Sequence, residues 1–252
     1  MGVSPYAARM RPATLRRAFL GALVMNTVIV VTGGAVRLTA SGLGCPTVPK
    51  CTADSMVATR ELGVHGAIEF GNRLLTFVLL ASVLTAALAA WRAGRRDLLG
   101  RAGLLGLGIV VQAVLGAITV LTELSPLWVM AHFLVSMVLI AVAVEAHLRT
   151  APAVEDAPRP LRALAWALVS ALAATLVVGT VVTGTGPHSG DKVAADRLPL
   201  DLESVAQLHA DLVFLVLGLA AGLWLAAAGQ GLTLLRRRAR LVVAVGFGQG
   251  LV

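Results

Sequence analysis

Residues 18–36 read AFLGALVMNTVIVVTGGAV, with Arg16-Arg17 before them and Arg37 after. No residue in this stretch is charged. A helix of this length rises about 28 Å, against about 30 Å for the hydrocarbon core of a bilayer. A backbone surrounded by lipid must satisfy its own hydrogen bonds, so a spanning segment of this kind is helical. The pattern then returns along the chain. Further apolar blocks run from about Val64 to Trp91, Ala102 to Leu121, Leu127 to Leu148, Leu161 to Thr183 and Val205 to Ala228, and another begins near Leu241. The fold class is therefore all-α: a polytopic membrane protein with six full spans and the start of a seventh.

Composition agrees. Of 252 residues, 58% are hydrophobic and 13% charged, where a soluble domain carries about 25% charged residues. The net charge of +8 does not point to nucleic acid, because the basic residues sit in short clusters between apolar blocks, where topology signals belong. The first block is long enough to span and no clear cleavage site follows it, so no removable leader is expected.

The clusters orient the chain. Arg9, Arg11, Arg16 and Arg17 precede the first span, and Arg92, Arg95, Arg96 and Arg101 join the second to the third. Arg149, Arg159 and Arg162 join the fourth to the fifth, and Arg236, Arg237, Arg238 and Arg240 join the sixth to the seventh. The connection from Gly184 to Ser204 instead balances Lys192 and Arg197 with Asp191, Asp196, Asp201 and Glu203. The positive-inside rule places the arginine-rich connections and the amino terminus in the cytoplasm, in a cell-membrane protein.

Immediately after the first span comes VRLTASGLGCPTVPKC, residues 36–51, which holds both cysteines of the chain, Cys45 and Cys51. On the reading above this loop is extracytoplasmic, where disulfides persist. Pro46 and Pro49 favour a turn that brings the sulfurs together. A small structural clip and a redox-active pair both fit the spacing. Zinc does not, since the other ligands are missing.

The chain repeats itself. VVTG occurs at Val30–Gly33 and Val181–Gly184, and Ser-Gly follows each time, at Ser41-Gly42 and Ser189-Gly190. Asn72–Phe77 aligns with His209–Phe214 at an offset of 137, which also places Gln112 on Gln249. A duplicated four-helix unit follows, with residues 1–150 as one half and 151–252 as an incomplete second half, the two related as parallel repeats. The counterpart of His132 would fall near position 269, beyond Val252, so the sequence reads as part of an eight-span protein.

Ionisable groups inside a span are costly and are functional candidates by default. His132 in MAHFLVSM and His209 in QLHADLVFL lie at similar depth toward the outer surface, as does Glu69 in IEFGNRLL. His65, Glu69 and Asn72 share a helix face through i, i+4, i+7 spacing, and a carboxylate there needs a partner, a proton or water. His147, beside Arg149, reads as an interface residue, and His188 as a loop residue. Inward histidines on paired helices are a common way to hold haem iron.

At these residues the chain resembles the haem A synthase family, close to its actinobacterial type. The resemblance rests on GGAVRLTASGLGCPTVPKC, IEFGNRLL, MAHFLVSM, TGTGPHSGD and QLHADLVFL. It implies eight spans in two four-helix halves and a membrane oxidoreductase that converts haem O to haem A by oxidising a porphyrin methyl to a formyl group, for terminal oxidase assembly. It implies substrate haem in the first half and haem b in the second. Carried over by position, Glu69 matches the acidic residue linked to catalysis, His132 and His209 match iron ligands, and Cys45 with Cys51 match the cysteine pair near the site. Family members often read E-x-x-H where this chain has Glu69-Phe-Gly-Asn72. Asn72 is a poor iron ligand, which leaves His132 to hold the substrate alone, and His65, two turns earlier, is a distant substitute. Without an eighth span the haem b site opposite His209 is incomplete. Arg37 and Arg73 are candidate propionate partners.

The expected partners are the haem O-producing enzyme, an electron acceptor and the lipid bilayer. A homo-oligomer is left open, and nucleic acid is not expected. The rival reading is a membrane transporter, or a haem- or lipid-binding protein without catalysis. Polar groups clustered toward one surface instead of the midplane favour the enzyme. A thiol-oxidising membrane enzyme would carry a second cysteine pair, and this chain has none.

Overall fold

The structure is a computed structural model and describes residues 11–152, 157–187, 190–191 and 196–249. Arg9, His188, Ser189 and Lys192 lie outside the described residues. Among the described residues every regular element is helical: α1 Pro12–Leu38, a single 3-10 turn Arg60–Leu62, α2 Gly63–Arg92, α3 Arg96–Leu121, α4 Pro126–Leu148, α5 Arg159–Thr185, α6 Leu202–Gly229 and α7 Thr233–Gln249. The first six are long and apolar enough to cross a membrane. The chain is a multi-pass helical membrane protein.

The helices overrun the apolar blocks. The seventh begins at Thr233, not near Leu241, and Arg236, Arg237, Arg238 and Arg240 lie within it instead of in the connection before it. Likewise Arg16 and Arg17 are inside α1, Arg101 inside α3 and Arg162 inside α5. Arginine is a strong helix former, and its long stem lets a helix continue to the membrane surface while the guanidinium reaches water. Hydropathy marks where lipid ends, and the backbone continues its own hydrogen bonding past that point.

Local chemistry sets the ends. Proline at the first turn opens α1, α4 and α5, where its missing N–H costs nothing. Asp201 caps α6 by accepting the Ser204 amide at 2.8 Å. After α2 and α6 the chain turns through Gly94 (φ +68°) and Gly231 (φ +70°), left-handed positions that only glycine takes without strain. These two glycines are 137 residues apart, and so are the first residues of α3 and α7. The spacing that aligns Asn72 with His209 thus also aligns a helix stop and a helix start.

The chain divides into two compact units, Met1–Ala153 with Pro187–Arg197, and Val154–Gly186 with Leu198–Val252. In the first, α1 packs on α2 and α4, and α3 packs on α2 and α4, so the four helices close a ring. Its buried apolar core is one-sided. Leu15, Phe19 and Ala22 of α1, Leu79 to Ala90 of α2, Leu98 to Ile109 of α3 and Leu139 to Ala146 of α4 fill the half toward the arginine-rich ends. There α3 and α4 come so close that a Cβ on Gly108 would stand 2.3 Å from Leu139 Cδ2. In the other half, toward the cysteine loop, no residue is fully buried over 27–38, 110–119 or 127–138, and over 63–78 only Gly66 and Glu69 are. The second unit repeats this. Leu161, Leu168, Ala171, Val216, Ala220, Leu223 and Ala239 fill its arginine end, while 172–179 and 202–215 contain no buried residue.

Candidate functional site

In the first unit the half without an apolar core carries the polar residues. His132 sits in the second turn of α4, half-buried, with Nδ1 buried and without a hydrogen-bond partner. α3 builds its seat. Gln112 Nε2 donates to the His132 carbonyl at 3.0 Å and to Ser136 Oγ at 2.7 Å, and Ser136 Oγ donates to the same carbonyl at 2.9 Å. One turn further along α3, Gly116 leaves room for the ring: a Cβ there would stand 3.5 Å from His132 Cε1. Gln112 Oε1 is a second buried atom with no partner. The sequence singled out Gln112 only through the repeat, and Gly116 not at all. Its signal was the i, i+4 spacing from Gln112 on one face of α3.

Glu69 is in the second turn of α2 and is 6% exposed. Burial of a carboxylate demands partners, and it has them. Oε2 accepts the Cys45 amide at 2.6 Å, and Oε1 accepts Arg73 Nη2 at 2.5 Å. Arg73, one turn on, spreads the rest of its guanidinium over the cysteine loop, donating to the carbonyls of Cys45 at 2.9 Å and Thr47 at 3.0 Å. The loop itself is closed by the Cys45–Cys51 disulfide, and both sulfur residues are fully buried. Its backbone lies directly on α2: a Cβ on Gly44 would fall 2.3 Å from the His65 carbonyl oxygen, so only glycine fits. His65, exposed, meets Ser41 Oγ through Nδ1 at 2.9 Å.

The family resemblance implied a cysteine pair near Glu69, and the structure brings Glu69, Arg73 and the cysteine loop into contact. Asn72 is held separately: its Oδ1 accepts Thr32 Oγ1 of α1 at 2.7 Å. Thr32 is the threonine of the first VVTG, so the motif ties α1 to α2. Arg37, half-buried at the end of α1, packs its side chain against Gly190, whose carbonyl accepts the Gly42 amide at 2.9 Å. The glycines of the two Ser-Gly pairs, Gly42 and Gly190, therefore meet in this unit.

The second unit has a parallel seat. His209, two turns into α6, has Nδ1 buried and unpartnered. The glycine facing it is Gly179 of α5, where a Cβ would stand 3.0 Å from Cε1 and 3.4 Å from Nδ1. Asp211, two residues on, is exposed and accepts Gln207 Nε2 at 2.8 Å. It takes no part in the seat.

At the arginine end of the first unit the groups pair among themselves. Arg101 grips Glu145 through two bonds of 2.6 and 2.9 Å, Arg149 holds the same carboxylate, and Arg95 forks onto Asp97 with two bonds of 2.8 Å. His147, at this end of α4, is half-buried with an unpartnered Nδ1.

Each of the two imidazoles is a side chain that could serve as an axial ligand of haem iron. Each has an unsatisfied buried ring nitrogen, a neighbouring glycine and no packed apolar core at its level. Asn72, with its oxygen already engaged, does not suit an iron ligand. Among the described residues no cluster of three or more histidine, cysteine or acidic side chains is arranged to hold a bare metal ion; iron inside a porphyrin needs only axial ligands.

A family model described as cytochrome oxidase assembly protein, COX15-CtaA, matches residues 16–252. No curated protein and no solved structure matches the chain.

Proposed function

This chain belongs to the COX15-CtaA family of cytochrome oxidase assembly proteins, and on that premise we propose that it is a haem A synthase, oxidising a methyl group of haem O to the formyl group of haem A. The observation that carries this reading is the paired architecture. In both units the half toward the loops has no apolar core and holds one imidazole with a buried, unsatisfied Nδ1 against a glycine.

Haem O is the substrate, seated in the first unit with its iron on His132. Its apolar tail suits entry from the lipid side. Gln112 and Ser136 fix the backbone of His132 and so the height of the ring. Written as a half-reaction with water supplying the oxygen atom, oxidation of a methyl to a formyl group releases four electrons, which pass to the acceptor, and four protons; Glu69 is the carboxylate at that level able to take up and pass on a proton. The disulfide loop lies over Glu69 and keeps bulk water from it. In the second unit His209 is the residue that would hold haem b, and that group would supply electron transfer toward an acceptor protein. The polypeptide orientation that fits is the one with the arginine ends in the cytoplasm and the cysteine loop outside.

The test uses the whole chain in membranes supplied with haem O. Extracted haem is expected to contain haem A. His132→Ala should lose haem from one site, and Glu69→Ala should keep its haem yet make no haem A. A well-folded, haem-free wild-type protein would point to a transporter instead.

A further inference from the structure

Arg73 occupies an unusual position for a cation near a proposed haem. Its guanidinium is shared between one carboxylate and three main-chain carbonyls: Glu69 Oε1 at 2.5 Å, Cys45 O at 2.9 Å, Thr47 O at 3.0 Å and, at the edge of bonding distance, Lys50 O at 3.5 Å. Glu69 returns the grip through its other oxygen, which accepts the Cys45 amide at 2.6 Å. The pair therefore holds both sides of the disulfide loop, at Cys45 and beside Cys51. The side chain of Glu69 is 8% exposed and that of Arg73 25% exposed, so water does little to replace either partner. Cys45 and Cys51 are both 0% exposed. A thiolate must reach a sulfur to attack a disulfide, and it can do so here only if the loop lifts from α2.

We propose that Arg73 is a positioning residue that joins the Glu69 carboxylate and the Cys45–Cys51 loop into one rigid unit, so that the disulfide is shielded from thiols only while the Glu69–Arg73 pair is intact. This goes beyond the haem A synthase reading and rests on it only for the role of Glu69. It also assigns Arg73 a different role from a propionate partner. The planar fork is what the site uses: a lysine ammonium keeps the charge opposite Glu69 but cannot serve the carboxylate and the loop carbonyls together in this geometry.

The first arm of the test does not need activity. The full chain in detergent micelles is treated with dithiothreitol, and the freed thiols are counted by maleimide mass shift. One dithiol becomes a cyclic disulfide as Cys45 and Cys51 become two thiols. Arg73→Gln and Glu69→Gln are each expected to be reduced about tenfold faster than wild type or more, since each loses a charged hydrogen bond to the clamp. Arg73→Lys should lie between them and wild type. The double variant should be no faster than the faster single one, because both remove the same pair. Reduction of Arg73→Gln within twofold of wild type overturns the proposal, as do single effects that multiply in the double variant. If Arg73→Gln does not fold, Arg73→Lys decides, with a wild-type rate counting against the clamp.

The second arm reads haem A formation per folded molecule. Positioning of Glu69 lowers kcat in Arg73→Lys and leaves KM near wild type. A raised KM with unchanged kcat means that Arg73 holds substrate, and overturns the proposal. A wild-type chain that makes no haem A defeats the proposed function, and the reduction rates then decide the clamp alone.

Discussion

Gly116 and Gly179 each leave room for an imidazole, but not the same amount. A Cβ on Gly116 would stand 3.5 Å from His132 Cε1, ordinary contact, whereas one on Gly179 would stand 3.0 Å from His209 Cε1. Packed interiors register differences of a few tenths of an ångström. Gly179→Ala is therefore expected to push the His209 ring out of place and lower the bound haem-to-protein ratio, while Gly116→Ala leaves its site's ratio near wild type. Optical titration of the two purified variants compares them. A similar argument applies to Thr32, whose hydroxyl serves Asn72 across the α1–α2 contact. Thr32→Val keeps the shape and leaves the Asn72 oxygen unsatisfied, so it should cost about 1–2 kcal/mol, read as a shift of the unfolding midpoint in mixed micelles. A neutral Thr32→Val would mean that Asn72 finds another donor.

At the scale of elements, the helix ends hold most of the local information. Asp201 caps α6, accepting the Ser204 amide at 2.8 Å and its hydroxyl at 2.6 Å. These bonds hold its carboxyl below the ordinary carboxylate range, with the Ser204 side chain as the larger cause. The folded value lies below the unfolded one, so the cap's contribution is fully present above the ordinary carboxylate range. It fades as pH falls through the depressed folded value. Protection factors of the amides of residues 202–206, taken against the intrinsic exchange rate at each pH, should then fall on acidification below that range in the wild type. In Asp201→Ala they should already be low at neutral pH and show no further acid step. An unchanged exchange rate in Asp201→Ala would remove the cap from the account of α6. The first two turns of α2 are the contrasting case. Gly63 and Leu62 supply no side-chain cap, and that end is held by the disulfide loop lying across it.

At the scale of the whole molecule, each unit puts its packed core at one end and a candidate ligand, His132 or His209, at the other. Phe19, 1% exposed in the filled half of the first unit, and Val31, 66% exposed on the same helix toward the loops, are the probes. Phe19→Ala should lower stability by about 3 kcal/mol or more. Val31→Ala should change it by less than about 0.5 kcal/mol. Denaturant titration of the apo chain measures both. Comparable losses would mean that the core extends through both halves.

Membrane class, span positions, the clustering of arginines between the spans and the 137-residue spacing were legible from the order of residues alone, and the same order is what nominates Glu69, His132 and His209 as candidates. Hydropathy, charge clustering and helical spacing are properties of neighbours along the chain, and lipid leaves the backbone only one solution. The start of α7 was misplaced because hydropathy locates the lipid boundary and not the helix end. The partners of each side chain were decided only by tertiary structure. Nothing in the spacing says that Arg73 turns to the cysteine loop, that Thr32 engages Asn72, or that Gly116 and Gly179 face the two imidazoles. Those contacts depend on which helix stands opposite and at what height. The four-helix ring of the first unit and the helix packing within the second determine both.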